Sequence, residues 1–197
     1  MGKIICIMGK SATGKDTIYK RLLDDKELNL KKMVTYTTRP VREGERPGEE
    51  YFFIDEAQMN EFEKGGKIVE RRTYQTVHGP WNYMTVEDEN LQIKDRDYIV
   101  IGTPESYQKY VAYFGREALV PVLIEVDDGV RLERALKRER AQAKPKYEEM
   151  CRRFLSDAED FREEKIKEAG IEERFVNDDF ETCYLEVKQY LMKEIQA

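Results

Sequence analysis

The chain of 197 residues has one histidine, one tryptophan and only three cysteines, and it lacks a long apolar run. An odd number of widely spaced cysteines does not fit a disulfide framework, so we expect three buried or half-buried thiols in a reducing compartment. They are Cys6, Cys151 and Cys183. The apolar run at residues 1–8 is interrupted by the glycines and lysines of residues 9–15, so it predicts neither a secretory signal nor a membrane span. We therefore expect a cytoplasmic protein with no membrane partner.

An excess of positive charge is also absent. The chain has 34 Lys and Arg against 40 Asp and Glu, which gives a net charge of −6 at pH 7. This balance predicts no whole-surface attraction to nucleic acid, so any anion-binding site must be local. A composition of 40% hydrophobic and 38% charged residues suits a single packed domain.

Three short apolar segments predict the strands of a parallel sheet. They lie at residues 3–8, 98–102 and 119–126, and each is followed by a stretch with helical spacing. Continuous β-branched runs of this kind are typical of strands buried on both faces, and alternation with helices is typical of α/β folds. The sequence therefore predicts an α/β protein with parallel strands wrapped by helices.

Two regions differ from this pattern. Residues 34–91 contain short strand-like pieces separated by Pro and Gly turns, which predicts a small inserted subdomain. The pieces lie at residues 34–37, 51–54 and 67–73. Residues 131–168 form a charged region with helical spacing, and either a solvated face with ion pairs or a functional basic surface is compatible with it.

A glycine-rich segment follows the first predicted strand. It comprises Gly9, Lys10, Ser11, Ala12, Thr13, Gly14, Lys15, Asp16 and Thr17. The spacing G-x-x-x-x-G-K is that of a P-loop, in which glycines let backbone amides approach phosphate oxygens and the lysine adds positive charge. Its place between a buried strand and an amphipathic helix is the setting that this mechanism needs. The segment therefore predicts nucleoside triphosphate binding.

One position departs from the P-loop pattern. A Ser or Thr that holds Mg²⁺ is expected after Lys15, and the chain has Asp16 there with Thr17 behind it. Asp16 either complements the positive end of the helix or holds Mg²⁺ directly or through water. Both interpretations stay open, and Asp16 and Thr17 are the candidate metal ligands.

Four further stretches accompany the P-loop. They are Thr35–Glu45, with the sequence TYTTRPVREGE, followed by EYFF at 50–53, IVE at 68–70 and VNDDF at 176–180. Together with the P-loop, these stretches resemble the guanylate kinase family in order and over nearly the whole chain. The resemblance implies a P-loop NTPase-type parallel sheet core wrapped by helices, with an inserted monophosphate-binding subdomain and a helical lid. It also implies transfer of the γ-phosphate of Mg-ATP to GMP, with Mg²⁺ as cofactor.

The resemblance divides the chain and supplies candidate site residues. Residues 1–33, 95–130 and 170–197 would form the core, 34–94 the monophosphate-binding subdomain and 131–169 the lid with its flanking helices. The acceptor phosphate would be held by Thr35, Arg39, Arg42 and Tyr51. Glu70 would recognise guanine, and its chemistry agrees, because a carboxylate accepts from the N1 and N2 hydrogens that adenine lacks.

The lid and the adenine site follow from the same resemblance. Arg153 matches a family arginine that neutralises charge on the transferring group, and Asn177 corresponds to a residue near the adenine of ATP. The second lid arginine is ambiguous, because this chain has Glu139 at the position where the family has an arginine, with Arg138 and Arg140 on either side. We take Arg138, with Lys15, Arg42 and Arg153, as the candidate catalytic set. Asn177 is equally compatible with a capping role.

Two departures from the family leave alternatives open. Val100 and Gly102 occupy positions where the family has two aspartates, and His78 or Tyr83 would have to replace a phosphate-contacting tyrosine. The non-acidic strand end and Asp16 resemble ribose 1,5-bisphosphate phosphokinase, which is the alternative enzyme. The alternative of another class is a non-catalytic guanylate-kinase-like module that binds phosphoproteins, against which the retained P-loop argues.

Overall fold

The computed structural model describes residues 2–42, 44–76 and 79–196. Within these residues the strands are β1 (Ile4–Met8), β2 (Lys31–Lys32), β3 (Tyr36–Thr37), β4 (Phe52–Phe53), β5 (Ile68–Thr76), β6 (Gly79–Val86), β7 (Tyr98–Gly102), β8 (Leu119–Glu125) and β9 (Arg174–Val176). The α-helices are α1 (Lys15–Leu23), α2 (Glu56–Lys64), α3 (Pro104–Phe114), α4 (Asp128–Arg140), α5 (Tyr147–Asp160), α6 (Glu163–Glu168) and α7 (Phe180–Gln196).

The main sheet has five parallel strands in the order β2-β7-β1-β8-β9. Alternate residues of β1 enter two different cores, because successive side chains of a strand point to opposite faces. Ile4, Cys6 and Met8 pack with α3 and α6, whereas Ile5 and Ile7 pack with α1 and α7. Helices therefore cover both faces of the sheet, and the predicted α/β fold is confirmed.

A second, four-stranded sheet has the order β4-β3-β6-β5. Its strands β5 and β6 form a long antiparallel pair with a register shift between Ile68 and Glu70, and β3 pairs antiparallel with β6 and parallel with β4. Helix α2 begins with a capping box in which the Asp55 side chain accepts from the Gln58 backbone. A small separate core with Tyr36 and Met84 stabilises this sheet.

The charged region after residue 127 consists of three helices, α4, α5 and α6, rather than one continuous helical stretch. The break between α4 and α5 at residues 141–146 contains Pro145, which disfavours helical conformation in the residue before it. The expectation for the cysteines was wrong at one position, since Cys6 and Cys183 are buried but Cys151 is exposed on α5. In the part of the chain that the structure describes, no helix combines the length and the apolar character needed to cross a membrane.

Candidate active site

The P-loop lies between β1 and α1, and close contacts with a backbone carbonyl and with a side chain restrict its two glycines. A Cβ on Gly9 would lie 2.5 Å from the Ile124 carbonyl oxygen. Gly14 has φ +85°, and a Cβ there would lie 2.4 Å from Nδ2 of Asn177. Ala12 also adopts a left-handed conformation at φ +65°, which is uncommon for a residue with a side chain. The loop is thus held in a backbone shape that only small residues tolerate at these points.

Asn177 braces this loop from the end of β9. It is buried, and its Nδ2 donates to the Thr13 carbonyl at 2.7 Å. Its own backbone amide donates to the Glu125 carbonyl at 2.9 Å, and its carbonyl accepts from Arg134 of α4. The structure therefore uses the Asn177 side chain to hold the P-loop backbone, and its predicted place near adenine stays a prediction.

A charge network centred on the buried Arg131 connects the first half of the P-loop with α4 and α5. The Ser11 amide donates to Asp157 of α5 at 2.7 Å, while the Ser11 carbonyl accepts from Nη1 of Arg131 at 2.9 Å. Arg131 is only 1% exposed, lies over the ring of Phe154 and pairs with both Asp157 and Asp128. Sequence reasoning missed this network, because charges in a helical region predict a solvated face.

The lysine and the candidate metal ligands stand at the start of α1. The Lys15 ammonium is 3.5 Å from the Asp16 carboxylate, and Asp16 and Thr17 are both exposed. A carboxylate and a hydroxyl are hard oxygen donors of the kind that Mg²⁺ prefers, so this pair fits the ion. Asp16 also lines a large open cleft on the side of the second sheet.

This cleft, of about 660 Å³, separates the main sheet from the second sheet and α5. Its walls bring together five of the predicted site residues, namely Asp16, Thr35, Tyr51, Tyr83 and Arg153. They also contain side chains that the sequence did not indicate, namely Tyr19, Lys32, Arg72, Tyr74 and Arg152. Tyr83 stands between Tyr51 and Tyr74, with ring centroids at 5.5 and 5.6 Å, and these rings make an aromatic wall beside basic groups.

Arg39 lies behind this wall and is 3% exposed. Its guanidinium makes a bidentate pair with Glu45 at 2.8 and 2.9 Å and lies 5.5 Å from the rings of Tyr51 and Phe53. Arg39 lowers the pKa of Glu45 by hydrogen bonding to its charged form. Glu45 also accepts from the backbone amide of exposed Arg42 at 2.7 Å, so one carboxylate organises both predicted phosphate-binding arginines.

Glu70 and Arg72 lie on one face of β5, and the side chain of Glu70 is completely buried. The Glu70 Oε2 atom is 3.3 Å from Arg72 Nε, and Oε1 is 3.4 Å from Nη2. Burial raises the pKa of Glu70, and the charge of Arg72 opposes that rise. The predicted guanine-binding carboxylate therefore has an internal counter-ion that sequence analysis did not find, although the i, i+2 spacing on a strand would have indicated it.

A smaller cavity of about 220 Å³ lies between the P-loop, α4 and α5. Arg138 and Arg153 both line it, together with Ser11 and Arg131. Arg153 pairs with Glu149 at 2.8 Å and lines the large cleft as well, so it borders both cavities.

Glu139, which stands at the ambiguous lid position, has a structural role, and the choice of Arg138 as the lid arginine stays a prediction. Glu139 is buried, where it accepts from the backbone amide of Lys146, whereas Arg138 is exposed. Glu139 therefore fixes the turn between α4 and α5. Val100 lies in the large cleft, and no carboxylate of β7 is present there, as the sequence indicated. His78 lies outside the described residues.

These features are typical of one class of protein, the P-loop phosphotransferases. They are a P-loop on a parallel sheet, a cleft with aromatic and basic side chains on a second sheet, and helices that border both. Comparisons with known proteins give the family. The family model described as Guanylate kinase matches residues 1–194. The chain belongs to the guanylate kinase family of nucleoside monophosphate kinases, and the family resemblance found in the sequence is confirmed.

Individual relatives extend over the whole chain. A guanylate kinase of Porphyromonas gingivalis is 29% identical over 202 residues, which cover 99% of both sequences. A guanylate kinase of Parasynechococcus marenigrum is 28% identical over 199 residues, which cover 95% of this chain and 97% of the relative. The crystal structure of a guanylate kinase from Anaplasma phagocytophilum matches with a TM-score of 0.61 at 23% identity, covering 100% of this chain and 87% of the other, and supports the fold. These matches favour neither the sugar-phosphate kinase nor the non-catalytic module.

Proposed function

We propose that this chain transfers the γ-phosphoryl group of ATP to GMP, giving ADP and GDP. The observation that carries the proposal is the position of Arg153, which borders both the acceptor cleft and the cavity beside the P-loop. A group that is transferred between two substrates must cross the boundary between their sites. A cation at that boundary can stabilise the charge that develops in the transition state.

The residues divide into a donor side and an acceptor side. The P-loop amides and Lys15 hold the β- and γ-phosphates of ATP, in line with the positive field at the start of α1. On the acceptor side, Thr35, Arg39, Arg42 and Tyr51 bind the GMP phosphate, and Glu70 accepts hydrogen bonds from the base. His78 and Tyr83 are further candidates for the acceptor side.

The lid contributes Arg138 and Arg153 to the transferring phosphoryl group. Mg²⁺ neutralises phosphate charge when it is bound with ATP, and Asp16 or Thr17 would hold it. Within the described residues no group of three or more His, Cys, Asp or Glu side chains is assembled for a metal. Asn177 acts here by keeping the Thr13 carbonyl, and with it the P-loop, in place.

An acceptor panel tests this function. Phosphate transfer from Mg-ATP is measured as ADP formation with GMP, dGMP, AMP, UMP, CMP, IMP and ribose 1,5-bisphosphate, with Lys15→Ala as the blank. Selective turnover of GMP is the expected result. Turnover of ribose 1,5-bisphosphate instead of GMP would show that the protein is a sugar-phosphate kinase. ATP binding without turnover of any acceptor would refute the proposal that the protein is an enzyme.

Glu70→Gln tests the acceptor side separately. Because the amide keeps one acceptor oxygen but loses the charge, the KM for GMP rises while the KM for ATP stays unchanged. Equal rises for both nucleotides would exclude Glu70 as the base-recognising residue.

A further inference from the structure

An ion pair on β5 reaches the acceptor cleft through its arginine, because Arg72 lines the cleft and Glu70 lies buried behind it. Glu70 and Arg72 are two residues apart on β5, so both side chains leave the same face of the strand. The pair joins the Nε and Nη2 nitrogens of Arg72 to the two oxygens of Glu70 and leaves Nη1 outside it. Glu70 is fully buried, whereas 30% of the Arg72 side chain remains exposed and lines the cleft.

The pair has hydrogen-bonding capacity left over. Neither Oε2 of Glu70 nor Nε of Arg72 has a partner in good hydrogen-bond geometry, although both atoms are buried. Buried polar groups are usually satisfied, and an acceptor beside a donor complements a ligand edge that offers the reverse pattern. The other carboxylates on the cleft wall, Asp16 and Glu50, belong to different segments, and β7 contributes the apolar Val100.

We propose that Arg72 determines acceptor specificity by donating to the 6-oxo group of a purine base while it pairs with Glu70. This inference rests on the proposed function. Guanine presents the O6 acceptor next to the N1 and N2 donors, which matches a guanidinium next to a carboxylate. Adenine has an amino group at position 6, whose hydrogens would face the guanidinium donors. The acceptor class is therefore the 6-oxopurine nucleoside monophosphates.

Arg72 has a second effect on the same site, through the charge of Glu70. The charged and titratable groups around Glu70 are Arg72 on β5, Cys6 on β1, and Glu105, Lys109 and Tyr110 on α3. Burial raises the pKa of Glu70, and Arg72 is the largest influence in the opposite direction. Without Arg72 the carboxyl group would take up a proton at a higher pH and would cease to accept from guanine.

The experiment compares GMP, 6-thio-GMP and IMP as acceptors for the wild type and Arg72→Leu at about pH 7.5, where all three bases keep the N1 proton and the phosphates are mainly dianionic. A change in the charge of Glu70 affects GMP and 6-thio-GMP alike, because both bases carry the same N1 and N2 donors. Sulfur at position 6 is a poor acceptor, so the ratio of kcat/KM for GMP to that for 6-thio-GMP reports the contact with O6. We expect roughly a 10-fold preference for GMP in the wild type, falling towards 1 in Arg72→Leu. The ratio of GMP to IMP, which reports the 2-amino group, is retained.

Two further variants separate the role of Arg72 from a structural one. Arg71→Leu is the matched control, because Arg71 is the adjacent arginine on the same strand and pairs with Glu63. It leaves both ratios unchanged. Arg72→Lys retains the charge beside Glu70, so its KM for GMP relative to that of the wild type stays constant as the pH falls, whereas the same ratio rises for Arg72→Leu. The ratio is used because the GMP phosphate titrates equally with all three proteins.

The outcomes distinguish the two proposals. A wild type that turns over no GMP refutes the proposed function. Wild-type turnover of GMP with equal losses for GMP, 6-thio-GMP and IMP in Arg72→Leu refutes only the specificity role. If Arg72→Leu does not fold, judged by circular dichroism, the ratio is measured with Arg72→Met, which has no N–H donor, and a GMP to 6-thio-GMP ratio unchanged from the wild type overturns the inference.

Discussion

In the P-loop, the residues that fix the backbone are buried and come from distant parts of the chain, whereas in the acceptor sheet and lid the arginines are paired with nearby carboxylates. Asn177 and Arg131 hold carbonyls of the P-loop through side chains that are at most 4% exposed. By contrast, three arginines of the acceptor sheet and the lid have carboxylate partners within six residues in the chain. The pairs are Arg39 with Glu45, Arg72 with Glu70 and Arg153 with Glu149.

The difference separates two ways of preparing a phosphate site. A loop whose carbonyls are held by buried side chains has its backbone shape fixed before the nucleotide arrives, which lowers the entropy lost on binding. An arginine that is already paired must share or exchange its carboxylate when a substrate phosphate approaches, so its contribution depends on the fit of the correct substrate. Donor binding therefore depends on fold stability, and acceptor binding depends on local ion pairs. The following predictions test that contrast, from the largest expected effect to the smallest.

Removal of the P-loop ammonium has the largest expected effect. Lys15→Ala takes away the positive side chain that is expected to contact the phosphates, and we expect kcat to fall by about 10³-fold. The measurement is ADP formation with saturating GMP. Lys20→Ala, on the exposed surface of the same helix, serves as the matched control and keeps wild-type activity. Comparable losses in both variants would mean that helix α1, rather than the phosphate contact, was disturbed.

Arg131→Leu removes the hydrogen bond from α4 to the Ser11 carbonyl of the P-loop. It leaves the carboxylate of Asp157 without its buried counter-ion, and we expect the free energy of unfolding to fall by about 3 kcal/mol. Urea unfolding followed by circular dichroism measures this loss. Arg140→Leu, at the exposed end of α4, changes stability by less than about 0.5 kcal/mol. An Arg131→Leu protein with wild-type stability would show that the P-loop does not depend on this network.

The two regions also differ in what their sequence reveals. The strands β1, β7 and β8 could be predicted because their apolar runs are continuous, and the P-loop because its glycines have fixed spacing. The role of Arg131 could not be predicted, because its burial depends on a contact with Ser11, which is 120 residues away in the chain. Strand β2 contains only Lys31 and Lys32, so no hydrophobic pattern marks it, and its pairing with β7 decides its conformation.

Asn177→Ala removes the second brace of the P-loop. The Thr13 carbonyl loses a buried donor, and we expect a decrease in unfolding free energy of about 1–2 kcal/mol together with a higher KM for ATP. Calorimetric titration with a non-hydrolysable ATP analogue measures the affinity. Asp178→Ala, at the exposed neighbouring position, is the control. The prediction fails if the KM for GMP rises and that for ATP does not.

On the acceptor side, Glu45→Gln weakens the pair that orients Arg39. The neutral amide keeps the shape but loses the charge, so Arg39 and the turn at Arg42 are held less firmly. We expect the KM for GMP to rise by about 5-fold, with the KM for ATP unchanged. Steady-state kinetics with each substrate varied in turn provide the test. Glu49→Gln, on the same exposed turn, leaves both KM values unaltered.

The smallest effect is expected at the lid, where the ion pair is exposed. Arg152 and Arg153 hydrogen-bond to Glu149 and lower its pKa to about 2. A carboxylate with a depressed pKa stabilises the folded state above its ordinary pKa and loses that contribution only as the pH falls towards 2, so the pair is fully formed at neutral pH. Because exposed pairs contribute little, Glu149→Gln changes stability by less than about 1 kcal/mol.

The same substitution releases Arg153 for the phosphoryl group, so we expect kcat to rise by about 2-fold. This result would show that Arg153 exchanges Glu149 for the phosphoryl group during the reaction. Glu148→Gln, which removes the adjacent exposed carboxylate, is the control. A fall in kcat would instead indicate that Glu149 orients Arg153 for catalysis, as Glu45 orients Arg39. The lid would then resemble the acceptor sheet in using a carboxylate to position an arginine, and the contrast with the P-loop would become sharper.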